Sequence, residues 1–137
     1  MFKLTTKSTY AVAAVIDLAR HYESGLVQLR DVSKRNNIPA PYLIQIFNRL
    51  TKAGIVKAQR GKTGGYTLAR KPAEITLLHT LEALEGRMEL AQVYKKDFAV
   101  ADIFCSAEKS LRSVLSVSLA EIVSRSNQRN GALFFDI

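Results

Sequence analysis

Pro41, Gln45, Asn48 and Lys52 recur at helical spacing on one side of a short stretch, while Leu43, Ile46, Phe47 and Leu50 repeat at i, i+3, i+4, i+7 on the other. At about 100° per residue the second set makes one apolar face and leaves the first set opposite, with Ile44 and Arg49 on the flanks. The outward face is polar and basic, and what it offers is recognition. Gln45 can form paired hydrogen bonds with an adenine edge, and Asn48 and Lys52 reach base edges or phosphates. Shortly after it, Arg60-Gly61-Lys62-Thr63-Gly64-Gly65 separates Ile55–Gln59 from Tyr66–Ala69, two stretches that read as strands. Their connection is a hairpin with a basic, glycine-rich tip. Missing side chains let its backbone approach a sugar-phosphate wall, and Arg60 and Lys62 can pair with phosphates or enter a minor groove. The Gly-x-x-Gly-Gly spacing also resembles a phosphate cradle, but it lies between two strands rather than at a strand-to-helix turn.

No nucleophile, base and orienting acid occur together in a recognisable motif, so the chain does not read as an enzyme. His21 falls near the end of the first helix, where a cationic ring suits the helix dipole. His79 has no cysteine or carboxylate four residues away. Both are read as structural or solvated, and acidic residues 82, 85 and 89 as a solvated acidic face.

Charge is distributed unevenly. Residues 1–72 carry 13 Lys+Arg against 3 Asp+Glu, whereas residues 73–137 carry 7 against 9. A half-chain at +10 followed by one at −2 fits a surface that displaces counterions from a phosphate backbone. An anionic membrane would attract the same charge, but no run of about 18 apolar residues exists and the start has no signal-like apolar core. With 47% hydrophobic and 23% charged residues, extended disorder is excluded. The single cysteine, Cys105, excludes an internal disulfide, which suits the cytoplasm.

The elements that must position these groups follow from pattern and punctuation. A first helix is expected over 6–22, a bridging strand or extended link at Val27–Leu29, a short helix over 31–36, and a turn at Asn36–Pro39. Pro41 suits the start of the polar-faced helix and Gly54 its end. Thr76 caps a further helix that stops at Gly86. A long amphipathic helix is expected from Ser106 to about Ser126, with Leu111, Val114, Leu115, Leu119 and Ile122 on its apolar side, then a polar turn at 127–131 and an apolar tail, 133–137. This order predicts a mainly α fold with a small β wing: a winged helix-turn-helix over 1–86, a connecting or sensor region over 87–105, and a dimerisation helix and tail over 106–137. The apolar side of the last helix needs a cover, either a second subunit or the chain's own core.

Several of these residues also carry a family resemblance. Lys3-Leu-Thr5 with Tyr10-Ala11, Pro41-Tyr-Leu43, Lys52-Ala-Gly-Ile-Val56, Arg60-Gly61, Gly64-Gly-Tyr66, Leu68-Ala-Arg70, Ile75-Thr76 and Glu85-Gly86 resemble the signature of the Rrf2 family of bacterial winged-helix regulators. The resemblance is dense over about residues 2–86 and looser beyond. It implies a homodimer whose long C-terminal helices pair, each subunit reading half of a roughly palindromic duplex operator. The chain is read as a non-enzymatic regulator, a repressor rather than an activator because occupying a promoter is mechanically simpler. Carried onto this chain, the implied DNA contacts are Lys3, Thr5, Lys7, Pro41, Tyr42, Ile44, Gln45, Asn48, Arg49, Lys52, Arg60, Gly61, Lys62, Thr63 and Gly64. Many relatives place glutamate before the glutamine of the reading helix. Ile44 stands there in this chain, offering apolar contact, for instance to a thymine methyl, where an acid would accept from cytosine.

Several relatives hold an iron-sulfur cluster on three cysteines. Here Cys105 stands at the place of the last, and Leu90, Val93 and Phe98 are among the residues that fill the region of the others. Some relatives add a carboxylate and a histidine from the first helix, where this chain has Ser8, Thr9, Val12 and Ala13. One thiolate per subunit does not complete the usual ligation, so no cofactor is expected. The alternatives are a cluster or thiol-based redox sensor using Cys105, and a winged module for RNA or protein. Cys105 itself reads either as a buried small apolar residue or as a redox-responsive thiol. The tail 133–137 reads as packing against the long helix or as a docking segment for a regulatory partner protein.

Overall fold

The computed structural model describes residues 3–90 and 98–135, the last six by backbone alone. Helix α1 (Thr6–Arg20) begins at Thr5, whose hydroxyl accepts from the Ser8 amide, the usual repair for the unpaired amides of a first turn. It buries Ala11, Ala14, Val15 and Leu18. It ends two residues before the expected boundary, because His21 leaves helical geometry and Tyr22–Ser24 form a 3-10 turn. Helix α2 (Leu29–Asn36) starts two residues early, since the Asp31 and Val32 amides both reach back to the Gln28 carbonyl. Asn37 adopts the left-handed conformation at φ 52° that asparagine tolerates. The resulting corner buries Ile38, and the Ser33 hydroxyl donates to the Ile38 carbonyl at 2.6 Å.

Helix α3 (Ala40–Lys52) follows at once, with Leu43, Ile46, Phe47 and Leu50 fully buried. Each such side chain removed from water contributes about 1.5–3 kcal/mol, so this face fixes the rotation of the helix. Strands β1 (Val56–Gln59) and β2 (Gly65–Leu68) pair antiparallel from Val56 opposite Leu68 to Gln59 opposite Gly65. The far edge of β2 is covered at Tyr66, which exchanges both backbone hydrogen bonds with Val27 at 2.8 Å. Of the two readings of Val27–Leu29, the bridging one holds, at the single residue Val27.

A 3-10 turn at Pro72–Glu74 leads to α4 (Leu77–Glu85). Its cap is a reciprocal box: the Thr76 hydroxyl accepts from the His79 amide and the His79 ring from the Thr76 amide. His79 therefore has a structural task, as does His21, whose Nδ1 lies 2.8 Å from the Asp17 carbonyl oxygen.

The single helix expected over 106–126 is instead two, α5 (Phe98–Leu115) and α6 (Leu119–Phe135). Backbone pairing with the start of α4 causes the break. The Leu77 amide bonds the Val117 carbonyl and the Leu119 amide bonds the Ile75 carbonyl, both at 2.9 Å, and these bonds take the place of helical ones. The Ser118 hydroxyl then caps α6 by accepting from the Glu121 amide. Residues 127–131, expected as a polar turn, continue α6. That helix runs back along α1, with Arg20 donating to Asn127 at 2.8 Å. The acidic face expected at 82, 85 and 89 is also revised: Glu82 pairs with Arg112 at 3.0 Å and Glu85 is hydrogen-bonded to α1, leaving Glu89 a 3.6 Å surface pair with Arg87.

Asp17 ties the first two helices together. Only 6% exposed, it receives Arg35 Nε at 2.9 Å and Nη2 at 2.7 Å, and Asn36 Nδ2 at 2.7 Å. Burial disfavours its charge, but the bonds from Arg35 and Asn36, with the charges of Arg35 and His21, outweigh burial and hold the carboxyl below its ordinary range. A depressed folded-state pKa means stability present above the unfolded pKa of about 4 and lost as pH falls through the folded value. Asp17→Asn should therefore cost about 2 kcal/mol at neutral pH, a charge-assisted pair whose arginine is part solvated. In urea unfolding, the gap from wild type should narrow steadily as pH drops below about 4.

Candidate nucleic-acid interface

The face of α3 opposite its buried side is open. Pro41, Gln45, Asn48 and Lys52 are exposed, and the flanking Tyr42 and Ile44 are 51% and 47% exposed. Two recesses border the helix. On one side, an open cleft of about 540 Å³ is lined by Thr5, Thr6, Lys7, Tyr10, Tyr42, Arg49, Leu84 and Glu85. On the other, a groove of about 510 Å³ runs between α3 and the wing, past Gln28, Leu29, Asn48, Thr51, Gln59, Arg60, Gly61, Gly64 and Tyr66. The residues singled out from sequence are thus gathered in two groups: Thr5, Lys7, Tyr42 and Arg49 in the first recess, Asn48, Arg60, Gly61 and Gly64 in the second. Lys3, Pro41, Ile44, Gln45, Lys52, Lys62 and Thr63 line neither, although all seven are exposed.

The first recess is held by the end of α4. Glu85 Oε1 accepts from the hydroxyls of Thr5 and Ser8, and those bonds, led by Ser8 and helped by Lys3, hold the carboxyl below its usual range. One residue earlier, the Leu84 carbonyl accepts from Arg49 Nη1 at 2.8 Å. Arg49 therefore spends part of its guanidinium joining α3 to α4. The rings of Tyr10 and Tyr42 meet at 6.3 Å, inclined by 56°.

The second recess is framed by the wing. Tyr66 stacks on Phe47 at 4.4 Å between centroids, so β2 rests on the core of α3. The tip closes through the Gly64 amide on the Gly61 carbonyl at 3.0 Å. Gly64, read from sequence as a backbone contact for DNA, is buried: a Cβ there would strike the Gln59 carbonyl. Its glycine requirement is internal to the turn. Gln28, Thr51 and Gln59 were not singled out from sequence. Thr51 and Gln59 could have been found as neighbours of residues already chosen, but Gln28 lies far from them along the chain.

A family model described as Rrf2, iron-dependent transcriptional regulator, matches residues 4–125. The chain belongs to the Rrf2 family. A Synechocystis sp. relative named as an HTH-type transcriptional regulator is 38% identical over 127 residues, covering 88% of this chain and 86% of its own. Among solved structures, T. potens IscR matches with a TM-score of 0.76 at 36% identity, over 90% of this chain and 88% of that one. CymR, the global cysteine regulator of B. subtilis, matches with 0.82 at 31% identity, over 91% and 98%. Regulators of the Rrf2 family are not enzymes. Their winged helix-turn-helix is the fold described above, with α5 as the long C-terminal helix.

In this Rrf2 chain α5 has no buried residue. Ile103 and Val114 are 66% and 71% exposed, with Leu111 beside them on one side. Cys105 is exposed on the same helix, not buried as one reading expected, and lies about 200° around it from Ile103. One thiolate in the whole sequence does not supply the donor set of an iron-sulfur cluster. Among the described residues no group of three His, Cys, Asp or Glu is placed to hold a metal, and no helix is long and apolar enough to cross a membrane. Val93 lies outside the described residues, as do the side chains of 133–137.

The wing of this Rrf2 regulator depends on close approach at Gly65, where a Cβ would lie 2.8 Å from the Val27 carbonyl oxygen. Gly65→Ala should push β2 off Val27. It is expected to lower stability by about 1–3 kcal/mol in urea unfolding and to speed hydrogen exchange at the Tyr66 amide.

Proposed function

We propose that this Rrf2 chain is a dimeric repressor that reads a near-palindromic duplex operator and works without a thiolate-held cluster. The observation that carries the reading is the two-sided character of α3, whose one side is fully buried while the other presents Gln45, Asn48 and Lys52 beside a basic wing. Such a helix suits the major groove, with Gln45 on adenine and Ile44 against a thymine methyl. Arg60, Lys62 and Thr63 then reach the adjacent backbone or minor groove. Lys3, Thr5, Lys7, Pro41, Tyr42, Arg49, Lys52 and the Gly61 backbone hold phosphates. Repression follows from occupancy, since a protein seated on a promoter blocks it without further machinery.

Dimerisation rests on α5. An 18-residue helix with no buried residue and an apolar stripe at Ile103, Leu111 and Val114 needs a second surface. The stripe expected from sequence is shortened in this proposal. Leu119 is fully buried in the chain's own core and Ile122 packs against it, so of the five residues expected there Leu111, Val114 and the edge of Leu115 remain for a partner, joined by Ile103. The proposed division is therefore a reading unit over 1–86, a connector that ends where α5 begins at Phe98 rather than at 105 as expected from sequence, and a final segment that pairs through α5 while α6 braces α1. A repressor of this kind belongs in the cytoplasm, with DNA.

Duplexes selected from a random pool should converge on a near-palindrome, and affinity for it should fall steeply with salt. Arg60→Ala should weaken binding several-fold and lower the salt slope by about one. Equal binding to single-stranded RNA, or an unchanged slope, would remove the operator reading or the wing from it. Val114→Asp should convert the dimer to monomer in sedimentation velocity while leaving the monomer's unfolding transition within about 0.5 kcal/mol; an unchanged dimer would exclude α5 as the interface.

A further inference from the structure

Gln28 occupies the residue that opens α2, where Ser, Thr, Asp or Asn would accept from a free amide of the first turn. Its side chain makes no such bond. It crosses instead to the wing, where Nε2 donates to the Gly64 carbonyl, 36 positions along the chain. A helix start left without its cap while the same side chain serves a distant loop is a local rule broken in favour of something else. What it serves is the groove between α3 and the wing, which Gln28, Gly64 and Asn48 all line.

We infer that Gln28 is a positioning residue that fixes the wing tip relative to the reading helix. The inference rests on the operator-binding function proposed above. Below the tip the wing is held by the Val27–Tyr66 pairing and by Tyr66 on Phe47. Beyond Gly65, among the described residues, no backbone pairing reaches the tip except its own turn, Gly64 onto Gly61. The Gln28 side-chain amide joins this turn to the helix-turn-helix. It sets how far Arg60 and Lys62 stand from Gln45 and Asn48, and with that the span from the major groove to the neighbouring backbone. Gln28 itself touches no base in this arrangement; it acts through Arg60.

The test is Gln28→Ser in the full chain. Serine caps α2 but cannot reach Gly64, so the melting temperature should hold or rise while operator binding weakens about fivefold. The salt slope should fall by about one, as it does for Arg60→Ala. In the Arg60→Ala background the same change should add less than twofold, because the contact it positions is already gone. Without DNA, hydrogen exchange at the Gly61–Gly64 amides should rise in the variant. Unchanged tip exchange, or weakened binding that is fully additive with Arg60→Ala, would overturn the role. Wild type that binds no duplex at all, with tip exchange still raised in the variant, would sink the operator reading and the positioning role with it.

Discussion

Everything on the outer surface depends on how α3 is rotated, and rotation is decided by four apolar side chains. Leu43, Ile46, Phe47 and Leu50 reach the core from consecutive turns and are fully enclosed there. Turning the helix by one residue, about 100°, would bring polar groups inward and expose leucine and phenylalanine, at a cost of several kcal/mol. The polar side is therefore presented in a fixed direction before any ligand arrives. Preorganisation of this kind spares a complex the entropy of ordering its reading head.

The surroundings of α3 transmit that rotation outward in two directions. Phe47 carries it to Tyr66 and so to the wing. Arg49 carries it to the end of α4, where Glu85 in turn gathers Thr5 and Ser8. The result is a basic surface whose three parts, the start of α1, the exposed side of α3 and the wing, are joined through short bonds rather than through loops. Local stability of this sort concentrates flexibility elsewhere, in segments that lack such bonds.

Much of this was legible in the residues. The periodic apolar face of α3, Thr76 as a cap, and the strand-glycine-strand order of the wing all follow from local rules that packing did not override. The break at Ser116–Ser118 was not read, because Leu111, Leu115, Leu119 and Ile122 keep helical spacing across it and periodicity alone does not see a backbone bond to Ile75. A local sign was present in Ser118-Leu-Ala-Glu121, the spacing of a capping box. Gln28 and Glu85 were illegible for a different reason. Each works through partners that are distant along the chain, Gly64 for one and Thr5 and Ser8 for the other, and sequence pattern reports only neighbours.

The pairing of Val27 with Tyr66 also bears on how copies of the molecule behave in a crowd. Val27 covers the outer side of β2 at Tyr66, so among the described residues β1 is the strand whose outer edge carries no strand partner. That edge is four residues long and carries the exposed Lys57 and Gln59. Short length and a charged side chain are what discourage strand-to-strand accretion. Wings brought close together can therefore lie side by side without zipping into a shared sheet.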